Sequence, residues 1–71
     1  MKQLVEIKGM SCAHCVAHVK EALKKLNNVE EVTVNLELNN AVIKVAKEVD
    51  AGKIISAINE IGYEVTNVKS I

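Results

Sequence analysis

The two cysteines of the chain, Cys12 and Cys15, are separated by two residues and are its most reactive side chains. Thiolates are soft ligands that favour Cu(I), Zn(II) or similar ions, and two neighbouring thiols can also close into a disulfide. A closed structural zinc site uses four protein ligands, whereas this motif supplies two. Cu(I) accepts two thiolates in a near-linear arrangement, which leaves room for another thiol to attack. The spacing therefore indicates a soft-metal site or a redox pair.

The motif lies at the junction of a predicted strand and a predicted helix. Before the motif, apolar and polar residues alternate with a period of two. After it, apolar residues recur with a helical period over residues 16–26. The inward positions are Val5 and Ile7 in the strand and Val16, Val19, Leu23 and Leu26 in the helix. Because the start of a helix carries partial positive charge, it favours ionised thiols, and Cys15 more than Cys12.

A hairpin is predicted after this helix. Two stretches alternate apolar and polar residues, as half-buried strands do. Asn39 and Asn40 between them predict a tight turn, because Asn tolerates the left-handed backbone that such turns need. The inward positions are Val32, Val34 and Leu36 in the first strand and Ala41, Ile43 and Val45 in the second.

A second helix and a last strand complete the pattern. Asp50 is the predicted N-cap of the helix, and Gly62 is its predicted stop. The apolar stripe of this helix consists of Ile54, Ile58 and Ile61. Residues 64–69 are predicted to form the strand, but alternation cannot place both Val65 and Val68 on its inward face. The register of this strand is therefore open.

The element order predicts an α+β fold, the ferredoxin-like βαββαβ sandwich, with two helices on one face of a four-stranded antiparallel sheet. Residues 1–71 are expected to form a single domain, because no linker or low-complexity tract interrupts them. The first and last strands are antiparallel neighbours in this fold. Tyr63, just ahead of the last strand, is therefore expected beside the thiols.

Composition argues against several classes of partner. The 71-residue chain carries nine basic and nine acidic residues, so its net charge gives no indication of nucleic-acid binding. No apolar run approaches the roughly 18 residues of a membrane span, and the first residues lack the apolar stretch of a signal peptide. We therefore expect a cytoplasmic protein without membrane insertion, whose thiols are kept reduced.

Residues 9–16, Gly-Met-Ser-Cys-Ala-His-Cys-Val, resemble the Gly-Met-Thr/Ser-Cys-x-x-Cys signature of heavy-metal-associated domains. Val-Asn-Leu at 34–36 and Ile-Gly-Tyr at 61–63 extend the resemblance, which covers essentially the whole chain. Within that family the chain is most similar to small bacterial copper chaperones of the CopZ type. The resemblance implies a non-enzymatic carrier of Cu(I) that delivers it to a copper-transporting P-type ATPase or a copper-responsive repressor.

The same resemblance assigns roles to individual residues. Cys12 and Cys15 correspond to the metal ligands, Met10 to a residue packed under the loop, and Tyr63 to the residue beside the metal. Ser11 departs little from the usual Thr, whereas an Asp at that position would have suggested a zinc, cadmium or lead relative.

The two histidines leave alternatives open. His14 is expected to face solvent, where it could tune thiol acidity or supply a ligand in a metal-bridged dimer. His18, one turn later, is expected to be a surface residue. Either one could still join Cys12 and Cys15 in a three-ligand zinc site.

Other functions compete with the chaperone. The chain could be the N-terminal regulatory domain of a P-type metal ATPase, or a zinc or mercury carrier of the same fold. A thiol-disulfide oxidoreductase is less favoured, because the chain has neither Trp nor Pro, which thioredoxin-type motifs use. Enzyme catalysis has no support beyond the Cys and His residues themselves. Two copies could also share copper across facing loops.

Overall fold

The structure, a computed structural model, describes residues 1–10 and 13–71. Its elements are β1 (Lys2–Lys8), α1 (Ala13–Lys24), β2 (Val29–Asn35), β3 (Asn40–Val45), α2 (Ala51–Glu60) and β4 (Glu64–Ser70). The strands form one antiparallel sheet in the order β2-β3-β1-β4. This arrangement confirms the predicted ferredoxin-like fold. No helix in the described ranges is long and apolar enough to cross a membrane.

Both helices cover the same face of the sheet, because one stripe of each helix and alternate residues of the strands share a common core. The most deeply buried members are Val5 and Ile7 in β1, Val19 and Leu23 in α1, Ala41, Ile43 and Val45 in β3, and Ile54 and Ile58 in α2. None of them is more than 2% exposed. Burial of this aliphatic surface is the main force that stabilises the fold.

The hairpin between β2 and β3 differs from the prediction. Its turn is formed by residues 36–39, and Asn40 already belongs to β3, where it pairs with Asn35. The side chain of Asn35 accepts a hydrogen bond from the Leu38 amide at 3.1 Å, so it caps the turn and ends β2 before Leu36. Asn39 does adopt the left-handed conformation, with a φ of +52°. The prediction of an Asn39–Asn40 turn and of Leu36 as an inward strand residue was therefore wrong.

A bulge in β4 resolves the conflict between Val65 and Val68. Val68 pairs with Val5 and Val65 pairs with Ile7, but the register shifts by one residue between them. Thr66 is the additional residue in β4, and its hydroxyl donates to the carbonyl of Glu6 at 3.2 Å. Because a bulge reverses the alternation of side chains, both valines pack against the core.

Gln3 is a buried polar residue that the sequence pattern does not identify. Its side chain is 2% exposed and makes two hydrogen bonds to the backbone of Val49. Nε2 donates to the Val49 carbonyl at 3.1 Å, and Oε1 accepts from the Val49 amide at 2.9 Å. This pair of bonds holds the connection between β3 and α2 against β1. Asp50 follows as the N-cap of α2, as predicted, and accepts from the Gly52 amide at 2.8 Å.

Candidate metal centre

Three connections lie at the same end of the sandwich. Lys8 pairs with Glu64, so the β1–α1 connection lies beside the start of β4. The amide of Ile7 donates to the carbonyl of Asn39 at 2.8 Å, which brings the β2–β3 turn to the same end. The cysteine motif falls in the first of these connections. This end of the molecule, which we call the loop end, therefore combines the motif with two other exposed turns.

The chain leaves β1 through Gly9, whose φ of +103° lies in a region that L side chains rarely adopt. A Cβ at this position would stand 3.5 Å from Cδ1 of Tyr63, so the β1–α1 and α2–β4 connections lie side by side. Met10 follows and is only 5% exposed, packed in the core. Met10 therefore anchors the segment before the cysteine motif in the core, and Tyr63 lies next to this segment at Gly9.

Cys15 lies in the first turn of α1 and is buried, with 9% of its surface exposed. It belongs to the same core cluster as Met10 and continues along the helix as a stripe with Val19 and Leu23. The sequence pattern placed Val16 at the start of this stripe, and that prediction was wrong, because Val16 is half-buried at its edge. Helix α1 also ends at Lys24, two residues before the predicted end.

Ser11 and Cys12 lie outside the described residues. Within ranges 1–10 and 13–71, no three His, Cys, Asp or Glu side chains are grouped so that they could hold a metal ion. Among the described residues of the loop end, Cys15 supplies the thiol, whereas the thioether of Met10 is buried in the core. The start of the helix favours a negatively charged sulfur at Cys15, whereas its burial among apolar neighbours favours the neutral thiol and limits the access of water.

The end of α2 determines where Tyr63 lies. The amide of Tyr63 donates to the carbonyl of Ile58 at 3.2 Å, and the amide of Gly62 donates to that of Asn59 at 3.0 Å. These two bonds form a Schellman motif, which requires a left-handed residue after the helix. Gly62 meets that requirement with a φ of +92°, which confirms the predicted stop. The motif turns the chain so that Tyr63 packs, half-buried, against the core.

His14 and His18 are both exposed on α1. The outward position of His14 agrees with its predicted place on the helix. His14 is the immediate neighbour of Cys15 in the chain, but the two residues differ completely in burial, because successive positions of a helix point about 100° apart. The structure therefore brings Met10, Cys15 and Tyr63 together around the loop end and leaves the imidazoles on the outer surface.

The fold and the placement of Cys15 define a small ferredoxin-like domain with a thiol at the junction of its first strand and first helix. The sequence pattern of the heavy-metal-associated domain matches residues 4–64. The chain belongs to the heavy-metal-associated domain family.

Relatives of known name share this domain. The chain is 46% identical over 65 residues to the copper chaperone CopZ of Enterococcus hirae, covering 90% of this chain and 94% of that protein. It is 36% identical over 61 residues to a copper-exporting P-type ATPase of Staphylococcus aureus, covering 84% of this chain but only 8% of the ATPase. Among solved structures, a CopZ metallochaperone superposes with a TM-score of 0.85 at 30% identity, covering 93% of this chain and all of that one.

Proposed function

We propose that the protein is a copper chaperone, which binds one Cu(I) ion through the thiolates of Cys12 and Cys15 and passes it to a partner. One observation carries this proposal: the 46% identity to the copper chaperone of Enterococcus hirae extends over 94% of that protein. The proposed cargo is bound and released without being chemically converted, so no catalysis is involved.

Coordination by two thiolates is suited to reversible binding. Two thiols that bind Cu(I) release two protons and form two sulfur–copper bonds. Because a two-coordinate ion is open to attack, a thiolate of the partner can add to it before one of the original sulfurs leaves. A second exchange of the same kind completes the transfer. The soft thiolates favour Cu(I), whereas a closed structural zinc site would need further protein ligands.

We assign supporting roles to four neighbours of the ligands. Met10, which is buried, anchors the loop in the core, and Tyr63 covers the ion from the α2–β4 connection. Ser11 and His14 flank Cys12 and Cys15 in the chain, and we propose that they adjust the acidity and the hydrogen bonding of the thiols. These roles rest on position alone, because a side chain next to a ligand sets its orientation and basicity.

The proposed partner is the metal-binding domain of a copper-transporting P-type ATPase, or a copper-responsive repressor, in the cytoplasm. The match to part of a copper-exporting ATPase supports the first of these, because two domains of one family can present similar thiols to one another. Two copies of the chain could exchange or share copper across facing loop ends in the same way.

A second candidate function is that of an N-terminal regulatory domain within a P-type ATPase. The 36% identity over 61 residues to the Staphylococcus aureus enzyme favours it. Carriers of zinc or mercury with this fold differ from the chaperone in the ion they prefer. A titration of the reduced protein with Cu(I), Zn(II) and Hg(II) in competition distinguishes these carriers, and the transfer of Cu(I) to a separate acceptor domain tests the chaperone directly.

The metal ligands are tested with Cys12→Ser and Cys15→Ser in an anaerobic competition against a chromogenic Cu(I) chelator. We expect each substitution to abolish tight binding of one Cu(I) per chain, because one thiolate cannot complete the two-coordinate site. Ala13→Ser is the matched control, since it adds a hydroxyl at an exposed position between the two cysteines. Circular dichroism verifies that each variant is folded. Wild-type affinity in either cysteine variant would refute the assignment.

A further inference from the structure

His14 and His18 form a pair that the proposed thiolate site does not use as ligands. Both belong to α1 and both are exposed. They are four positions apart, so they lie on the same side of the helix, about 40° from one another around its axis. Residues at this spacing have Cβ atoms about 5–6 Å apart, a separation that two imidazoles can bridge around one ion with metal–nitrogen bonds of about 2.0–2.1 Å.

The surface around this pair leaves room for an ion. Ala17, which lies between the histidines in the chain and on the adjacent side of the helix, is also exposed and extends only a methyl group. His18, but not His14, borders a shallow depression of about 140 Å³, whose other lining residues are Glu21, Ala22, Lys25 and Ile61. Glu21 is three residues beyond His18, on the same side of the helix, and its negative charge offsets the positive charge of Lys25 in the same depression, so the two histidines are not left beside an unbalanced cation.

We propose that His14 and His18 chelate a divalent ion of borderline softness, Zn(II) or Cu(II), at a second site on the outer surface of α1. Imidazole nitrogen is a preferred ligand of both ions, and two histidines at i and i+4 on one helix face are a known arrangement for binding zinc. Within the described ranges no group of three potential ligands is close enough to hold an ion. In the proposed site, the described part of the chain supplies the two imidazoles, and water or a donor from another molecule completes the coordination.

This second site is chemically separate from the thiolate site. Cys15 is buried on the core side of α1, whereas both imidazoles are exposed. Soft Cu(I) selects the sulfurs, and a borderline divalent ion can be held by nitrogen alone. The chain can therefore carry a divalent ion on α1 while its cysteines are occupied by Cu(I).

The test uses a Cys12→Ser/Cys15→Ser variant, in which the imidazoles remain and the thiolates do not compete. Zn(II) is titrated calorimetrically into this variant and into the same variant carrying His18→Ala. We expect binding of one Zn(II) in the parent and a loss of affinity of about tenfold or more without His18. A third variant combines His18→Ala with Lys20→His, which keeps two histidines but places them about 120° apart around the helix. Lys20 is exposed, so this exchange does not disturb the core.

The outcome of the Zn(II) titrations does not depend on whether the chain is a copper chaperone. If the Lys20→His variant binds Zn(II) as weakly as His18→Ala alone, the i, i+4 chelate is supported. If the Lys20→His variant binds Zn(II) as tightly as the Cys12→Ser/Cys15→Ser variant, or if His18→Ala does not change the affinity for Zn(II), the chelate is refuted. Because the serine at position 15 replaces a buried residue, a second measurement uses the wild-type chain loaded with Cu(I). Zn(II) should then shift the ring resonances of both histidines together, and unchanged resonances would also refute the proposal.

Discussion

Gly9→Ala tests whether the backbone entering the cysteine motif is part of the metal site. With a φ of +103°, an alanine at this position is held in a sparsely populated conformation, which costs about 1–3 kcal/mol. The new Cβ would lie 3.5 Å from Cδ1 of Tyr63, an ordinary contact, so no steric term is added. Alanine also lowers the conformational entropy of the unfolded chain, which by itself would stabilise the fold. At a position with positive φ, the strain in the folded state outweighs this gain. We expect a net loss of about 1–2 kcal/mol in the free energy of unfolding.

The same strain should also affect Cu(I) affinity. A shift of the backbone at Gly9 moves the segment that leads into the cysteine motif and changes its position relative to Tyr63. If the apo protein relieves the strain by moving the loop, binding must restore the original geometry. A cost of about 1.4 kcal/mol then weakens Cu(I) binding about tenfold. The measurements are urea denaturation of the apo protein and an anaerobic Cu(I) competition titration.

The control for this prediction is Ile54→Val. Ile54 is completely buried in the first turn of α2, away from the loop end, and removal of one methyl from such a site costs about 0.5–1.5 kcal/mol. Its loss of stability should therefore be similar, with no change in Cu(I) affinity. Equal Cu(I) affinities in Gly9→Ala and Ile54→Val would show that Gly9 serves only the fold and takes no part in the proposed metal site.

Two further predictions concern the stability of the fold and the docking of a partner at the loop end. Gln3→Leu should reduce the free energy of unfolding by about 2–4 kcal/mol in urea denaturation, because it leaves the amide and the carbonyl of buried Val49 without their partner; a loss as small as that of Thr66→Val, which removes an exposed hydrogen bond, would contradict this. Leu38 is 68% exposed in the turn at the loop end, so Leu38→Ser should slow transfer of Cu(I) to an acceptor domain by about fivefold without changing Cu(I) affinity. Ile71→Ser, at the opposite end of β1 and 64% exposed, is the matched control, and equal transfer rates in the two variants would exclude Leu38 from docking.

Much of the fold is predictable because its signals are local and agree with one another. Asp50 and Gly62 mark the ends of α2 by the chemistry of a single residue, and the structure shows both in those roles. The prediction that Tyr63 lies beside the cysteine connection followed from strand order alone. Even the disagreement between Val65 and Val68 was informative, because a strand with two inward positions three residues apart requires a bulge.

The predictions that were wrong depend on interactions that hydrophobic alternation does not represent. Leu36 continues the apolar alternation of β2, but a side-chain hydrogen bond from the next turn to Asn35 ends the strand first. Val16 and Cys15 are both compatible with the apolar stripe of α1. The angle at which α1 packs on the sheet determines which of the two faces the core. Gln3 occupies a buried position of β1 because its amide matches the donor and acceptor of Val49, a partner 46 residues away in the chain.

The spacing of the cysteines limits how strongly the fold can depend on the metal. Cys12 and Cys15 remain close together in the unfolded chain, so if they bind Cu(I) as we propose, both states can do so, and loading stabilises the native state only by the ratio of the two affinities. That ratio comes from what the fold adds around Cys15, namely the start of α1 and buried neighbours such as Met10. A zinc finger, by contrast, collects ligands from distant positions and folds only with its metal. A carrier of the kind we propose has to be folded before loading and after release, and a core stabilised by buried aliphatic surface suits that requirement.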